Sequence, residues 1–304
     1  MASYVCSGGA SRELKVERQP VKEVAKLTIS CPDRRGLVAR ISDFVFRNGG
    51  NFLHFDQHTD LQAGVFLARM EWELEGFQIP REHIADCFRG IALECGMRFD
   101  LAFSDHVPKI AIFASRMPHC LLDLLLRRQA GEFAADIALI ISNHSDVAEI
   151  AERFGITFRH YPITSENKIQ QEAAEIEELK AQGIELVVLA RYMQVLSDAF
   201  VACFPNRIIN IHHSFLPAFI GAQPYHQAFE RGVKLIGATG HYVTSELDDG
   251  PIIEQEIIRV GHRDSVEDLI RKGRDLEKVV LARAVRLHLM HKVLTYGNKT
   301  VIFD

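Results

Sequence analysis

Two patterns of apolar spacing divide the chain. Up to Asp105 the apolar residues alternate with polar ones in short stretches: Ala25, Leu27 and Ile29; Phe66, Ala68, Met70, Trp72 and Leu74; Met97, Phe99, Leu101 and Phe103. A period of two predicts strands with one buried face. Between them, Leu37, Val38, Ile41, Phe44 and Val45 fall at helical spacing on one face, and Gly49-Gly50-Asn51 ends that helix. Pro80 opens a second helix, expected to be buried through Ile84, Cys87, Phe88 and Ile91. The predicted order is β-α-β-β-α-β, a ferredoxin-like α+β unit, with the third of its four strands the most weakly marked.

After Asp105 the spacing changes. Continuous apolar runs at 109–114, 137–142, 184–190 and 207–211 alternate with helical stretches at 121–126, 145–154 and 169–181. Strands buried on both faces and separated by helices predict an α/β fold with a mainly parallel sheet. Two more strands are read at 235–243 and 252–260, a long closing helix at 265–292 and a hairpin around Tyr296-Gly-Asn-Lys-Thr300. The expected division is a flexible extension at 1–24, a small domain at 25–105 and a larger one at 106–304.

Composition narrows the options. A length of 304 residues accommodates two domains. A net charge of -5 without a face-forming run of Lys and Arg argues against nucleic acid. Cys6, Cys31, Cys87, Cys95, Cys120 and Cys203 include no C-x-x-C pair, which predicts reduced thiols and no metal held by cysteine. No apolar run approaches the roughly 18 residues of a membrane span, and 1–24 lacks the apolar core of a secretory signal, so a cytoplasmic protein is expected. The first β-α turn of the larger domain, Ala114-Ser-Arg-Met-Pro-His-Cys-Leu121, has no glycine, which removes a dinucleotide or phosphate loop.

The candidate chemistry lies between Asn210 and Asp249. Asn210-Ile-His-His-Ser-Phe-Leu-Pro217 leaves a buried strand at its carboxyl end, where open α/β sheets bind ligands. Asn210 and His212 share one face of that strand and Ile211 faces away. Gly240-His-Tyr-Val-Thr-Ser-Glu-Leu-Asp-Asp-Gly-Pro-Ile252 brings further carboxylates and a second histidine. An amide, an imidazole and a carboxylate aimed at one point suit acyl chemistry, which needs an activated water, an oxyanion donor and an acid for the leaving nitrogen. Read without that convergence, the histidine is a surface residue and Asp248-Asp249 is a turn.

Two resemblances sharpen the reading. Ser30-Cys-Pro-Asp-Arg-Arg-Gly-Leu-Val-Ala-Arg-Ile-Ser-Asp-Phe44, running on to Asn51, resembles the first half of an ACT domain. Such modules pair with copies of themselves and commonly bind amino acids, which implies a homo-oligomer and an effector site at Asp33, Arg34 and Gly36. Asn210-Ile-His212 with Ser214-x-Leu-Pro217, His241-x-Val243 and Leu247-Asp-x-Gly-Pro-Ile252 resembles the folate-dependent transformylases and hydrolases. With the ACT pattern, and with Pro217-Ala-Phe-Ile-Gly-Ala-Gln-Pro-Tyr225, the chain is similar to the formyltetrahydrofolate deformylase family from about Leu27 to Phe303. The resemblance implies hydrolysis of 10-formyltetrahydrofolate to formate and tetrahydrofolate, in balance with purine synthesis, with no tightly bound cofactor and no metal. It assigns catalysis to Asn210, His212 and Asp248, with Asp249 a weaker alternative to Asp248. It assigns folate binding to Met193, Gln194, Val195 and Leu196, to Val243, Thr244 and Glu246, and to His241 beside the formyl site. His119 and Cys120, which match a family segment in the first β-α loop, are further folate-binding candidates by the same resemblance. The alternatives are a transformylase with an amine acceptor and a silent amino-acid sensor.

Overall fold

The computed structural model describes residues 22–217 and 224–303. Most of the expected 1–24 extension, and the centre of the Pro217 to Tyr225 segment, lie outside them.

The first sheet is built from β1 (Val24–Pro32), α1 (Leu37–Arg47), β2 (Phe52–Asp60), β3 (Val65–Glu73), α2 (Ile84–Cys95) and β4 (Arg98–Phe103). The strands run antiparallel in the order β2-β3-β1-β4, the ferredoxin-like arrangement that the alternation predicts. Leu27, Ile29, Met70 and Trp72 meet Ile41, Phe44, Ile84 and Phe88 in one core. Three details differ from expectation. Val38 is 37% exposed, and Cys87 lies on the outer face of α2. The faint strand is the edge strand β2, whose side chains are mostly in solvent, while β3 is well developed. Finally, β3 is buried on both faces, because Leu67 and Arg69, at 0% and 5% exposure, are covered by the C-terminal hairpin and helix end.

The second sheet has seven strands in the order β11-β10-β9-β8-β5-β6-β7. In chain order the elements are β5 (Lys109–Ala114), α3 (His119–Gln129), β6 (Asp136–Ser142), α4 (Ala148–Arg153), β7 (Thr157–His160), α5 (Lys168–Ala181), β8 (Leu186–Ala190), α6 (Asp198–Cys203) and β9 (Ile208–His212). There follow α7 (Pro224–Glu230), β10 (Leu235–Tyr242), β11 (Ile252–Arg259), α8 (Val266–Leu289), β12 (Val293–Tyr296) and β13 (Lys299–Ile302). The strands β5 to β9 pair in parallel, while β10 and β11 run antiparallel. The chain winds outward from β5 to β7, then returns through β8, so the order reverses between β5 and β8. Such a reversal opens a crevice at the carboxyl ends of the strands. β7 escapes the apolar pattern because it is a four-residue edge strand with mostly exposed side chains.

Helix α8 packs against β9, β10, β11 and α3 and connects the two sheets. Ser265 caps it, accepting from the Asp268 N–H while the Asp268 carboxylate accepts from the Ser265 N–H. At its other end the Arg69 Nε–H of β3 donates to the His291 carbonyl at 2.7 Å and Nη2 to the Met290 carbonyl at 3.2 Å. Leu67 packs on Leu294 and Phe303 beside it. Among the described residues no helix is long and apolar enough to cross a membrane, and the five described cysteines are free thiols.

Candidate active site

A cleft of about 280 Å³ opens at the carboxyl ends of β8 and β9. Its walls come from three segments: the loop after β8, the end of β9, and the loop joining β10 to β11.

Register places the first two polar groups. Asn210 of β9 lies opposite His241 of β10, and His212 opposite Thr239. His241 Nδ1 is 2.9 Å from the Tyr242 carbonyl, so Nδ1 carries the proton and Nε2 is an acceptor. The Asn210 amide therefore donates one Nδ2–H to His241 Nε2, at 3.2 Å, which fixes the amide orientation. Burial holds the His241 ring below its ordinary pKa, and so neutral, although the Tyr242 carbonyl opposes this.

The carboxylate arrives from the next loop. Asp248 adopts φ 56°, in the left-handed region, and its Oδ2 sits 3.2 Å from His212 Nδ1. Its Oδ1 is 3.8 Å from His241 Nε2. Amide, two imidazoles and carboxylate thus form one connected cluster. Burial raises the Asp248 pKa, but the hydrogen bond and charge of His212, with smaller contributions from His241 and His213, bring it below the usual value, so it stays ionised. His212 is 5% exposed and its Nε2 is buried without a protein partner. Asp249 is exposed and does not line the cleft. The loop depends on Gly250: a side chain there would place its first carbon 1.7 Å from the Tyr242 carbonyl oxygen.

The opposite wall is 193–196. The Met193 N–H donates to Ser115 Oγ at 3.2 Å, and Ser115 donates to Asn143 Oδ1 at 2.7 Å. The Ser197 N–H reaches the Glu172 carboxylate at 3.3 Å, and the Tyr192 hydroxyl reaches Glu175 at 3.4 Å. Burial beside Glu172 pushes the Glu175 carboxyl up to about 8. Core packing accounts for Leu196, at 8% exposure, but not for Met193 or Val195, which are 59% and 55% exposed at the rim. A wall of anchored backbone with apolar side chains at its lip suits a flat heteroaromatic ring.

Of the residues singled out in the sequence, Met193, Gln194, Val195, Leu196, Asn210, His212, His241, Val243, Thr244, Glu246 and Asp248 all line this one cleft. A match to the formyl transferase family model spans residues 108–285. A formyltetrahydrofolate deformylase of Synechocystis sp. is 56% identical over 279 residues, covering 92% of this chain and 98% of that one. The chain belongs to the formyltetrahydrofolate deformylase family. A crystal structure of a formyltetrahydrofolate deformylase from Pseudomonas syringae pv. tomato, 44% identical, matches with a TM-score of 0.91 over 93% of this chain and 95% of that one. A glycinamide ribonucleotide transformylase from Symbiobacterium toebii, 35% identical, matches 67% of this chain and 98% of its own, with a TM-score of 0.63. Family membership thus extends over both sheets, whereas the transformylase likeness covers a smaller share of the chain.

Two groups of candidates lie outside the cleft lining of this family member. His119 and Cys120 join a buried cluster: Glu277 of α8 accepts from His119 Nε2 and from the Tyr225 hydroxyl, each at 2.7 Å. Arg191, which does line the cleft, places Nε 3.5 Å from Glu277. His119, Cys120 and Glu277 bring ligand atoms within 4.8 Å of one another. They fit a cation poorly, since burial keeps the Cys120 thiol protonated and the Arg191 guanidinium already faces the carboxylate. Asp33, Arg34 and Gly36 sit at the start of α1. There Gly36 has φ 88° with nothing within 4 Å of a would-be side chain, and Arg34 Nη2 donates to Cys95 Sγ at 2.6 Å.

Sequence reasoning missed Arg191, His213 and Glu277. Only Glu277 left a signal: it falls on the apolar face of α8, four residues after Gly273 and three before Val280, where an acid needs a buried partner.

Proposed function

We propose that this protein hydrolyses 10-formyltetrahydrofolate to formate and tetrahydrofolate, with Asn210, His212 and Asp248 around the formyl carbon. The observation that carries the reading is the connected cluster of those three side chains with His241 in one cleft. Water adds to the formyl carbon, and Asp248 takes its proton. The second Nδ2–H of Asn210 donates to the oxygen that becomes negative, beside the His212 ring. His212 Nδ1 faces Asp248 at 3.2 Å and is held in place by it. Collapse of the adduct breaks the bond between carbon and N10, the nitrogen recovers the proton from Asp248, and the product leaves as formic acid, which gives up its remaining proton to water to become formate. Binding of the pterin falls to the backbone of 193–196 and of 243–248, and His241 holds the Asn210 amide in place.

Incubation with 10-formyltetrahydrofolate and no amine tests this directly. Formate release supports hydrolysis, release that depends on an added amine makes the protein a transferase, and amino-acid binding without turnover makes it a sensor. The glycine-free first β-α turn, lacking a phosphate cradle, favours water as the acceptor.

A division at 25–105 and 106–304 is supported by the two separate sheets, although the C-terminal hairpin packs back on β3. An amino-acid effector bound at Asp33, Arg34 and Gly36 is supported by the open space at the left-handed Gly36. Self-association through the small domain is supported by Phe46, Leu61 and Leu93, which are 77%, 86% and 77% exposed there. A cytoplasmic location is supported by the free thiols. Light scattering with and without amino acids tests the assembly and effector readings together.

A further inference from the structure

The geometry points to a binding subsite for a small carboxylate at the Arg191 guanidinium, beside the reacting centre. On the hydrolytic reading above, on which its physiological occupant depends, that carboxylate is formate.

Position comes first. The strand order reverses between β5 and β8, and the crevice at such a reversal is where an open α/β sheet takes ligands. Arg191 is the first residue after β8, and His119 begins the helix after β5. Leu189 pairs with Asn210 in the parallel β8–β9 ladder, so continuing the register by two residues sets Arg191 next to His212. The cleft lining contains Arg191, Asn210, His212 and His213 together.

The construction around Arg191 comes second. Its backbone takes φ 63°, a left-handed conformation unfavourable for a non-glycine residue. Its Nε and Nη1 are buried without a hydrogen-bond acceptor. Glu277 balances its charge from 3.5 Å, yet both Glu277 oxygens already accept hydrogen bonds, from His119 and from Tyr225. Tyr225 reaches Glu277 only because residue 273 is glycine, since a side chain there would begin 2.0 Å from the hydroxyl oxygen. Three helices therefore hold a guanidinium whose charge is offset but whose Nε and Nη1 donors are unused. A buried donor left without an acceptor is destabilising. A planar carboxylate matches the guanidinium fork in shape and charge. The neighbouring His213 does not compete as a cation, because burial, reinforced by Arg191, lowers its pKa to about 4.

Titration of the protein, with tetrahydrofolate present, by carbon-13 formate and separately by acetate, read by NMR, tests the subsite. Saturable formate binding that weakens at least tenfold in Arg191→Gly, with tetrahydrofolate still bound, is the expected result. Glycine adopts φ 63° freely, so that variant keeps the backbone. Arg191→Lys, which retains charge without the fork, should weaken binding less. No saturable formate binding by the wild type, or binding by Arg191→Gly within threefold of wild type, overturns the proposal and leaves the cluster as a brace between β8 and α8. Turnover of 10-formyltetrahydrofolate by the same wild-type sample separates the two claims. Arg191-dependent formate binding without turnover upholds the subsite and removes the hydrolase reading. Turnover with formate binding indifferent to Arg191 does the reverse.

Discussion

Gly250→Ala puts the placement of Asp248 to the test without touching a polar group. The added methyl carbon would sit 1.7 Å from the Tyr242 carbonyl oxygen and 2.8 Å from its carbon. Contacts under 3.0 Å essentially never occur for such a carbon, so the loop has to move by more than an ångström. Two hydrogen bonds end at that turn: the Tyr242 N–H to the Pro251 carbonyl, and His241 Nδ1–H to the Tyr242 carbonyl, both 2.9 Å. Asp248 is two residues away and meets His212 at 3.2 Å, so a shift of this size breaks that contact. A misplacement of about 1 Å in a reacting constellation costs about a hundredfold in rate, and overpacking costs about 1–3 kcal/mol in stability. We expect kcat for formate release to fall at least fiftyfold, with a melting temperature several degrees lower. Steady-state kinetics below the new melting temperature, with a thermal melt, measures both. A variant within threefold of wild-type kcat would refute the argument that this glycine sets the position of the carboxylate.

Further outcomes follow from other contacts. Asn210→Ala removes one proposed oxyanion donor and should lower kcat about a hundredfold or more with little change in KM; an unchanged kcat would move the amide out of the mechanism. Glu175 carries a pKa raised to about 8 by burial, so its folded form holds a proton that the unfolded chain sheds above about 4.5. Its stability contribution is complete below that lower value and is lost as pH rises toward 8. Glu175→Gln should therefore gain stability at pH 8, by roughly 4 kcal/mol, and none at pH 4; urea unfolding at both pH values decides, and equal differences would contradict the shift. Arg69→Ala removes the link from β3 to the end of α8 and leaves Glu71 half of a largely buried ion pair. Loss of about 3 kcal/mol or more is expected in a denaturant melt, and a loss under 1 kcal/mol would show the two sheets to be held by the apolar contacts alone.

What the sequence reveals follows from what each element buries. The strands β5, β8 and β9 are legible because both faces are covered, giving unbroken apolar runs. The helix α8 is legible from its capping serine and its apolar stripe. The short edge strand β7 is silent because it contributes little to any core. The spacing on β3 shows the face that meets α1 and α2, whereas the burial of Leu67 and Arg69 depends on a hairpin more than 200 residues later. The same holds in the cleft. Asn210, His212 and His241 are visible as polar residues on strands, and Asp248 as a carboxylate in the loop after β10. Arg191 is not, since neither its left-handed backbone nor its partnership with Glu277 on a distant helix leaves a local trace.

The most direct measurement is formate production from 10-formyltetrahydrofolate, with no amine added, by wild-type protein and by Asp248→Asn, alongside the folate affinity of each. Wild-type turnover, loss of detectable formate release in the variant and a folate dissociation constant within about tenfold of wild type are the predicted results, because the lost interaction is made chiefly in the transition state. Formate release by Asp248→Asn at a rate near wild type would contradict the account.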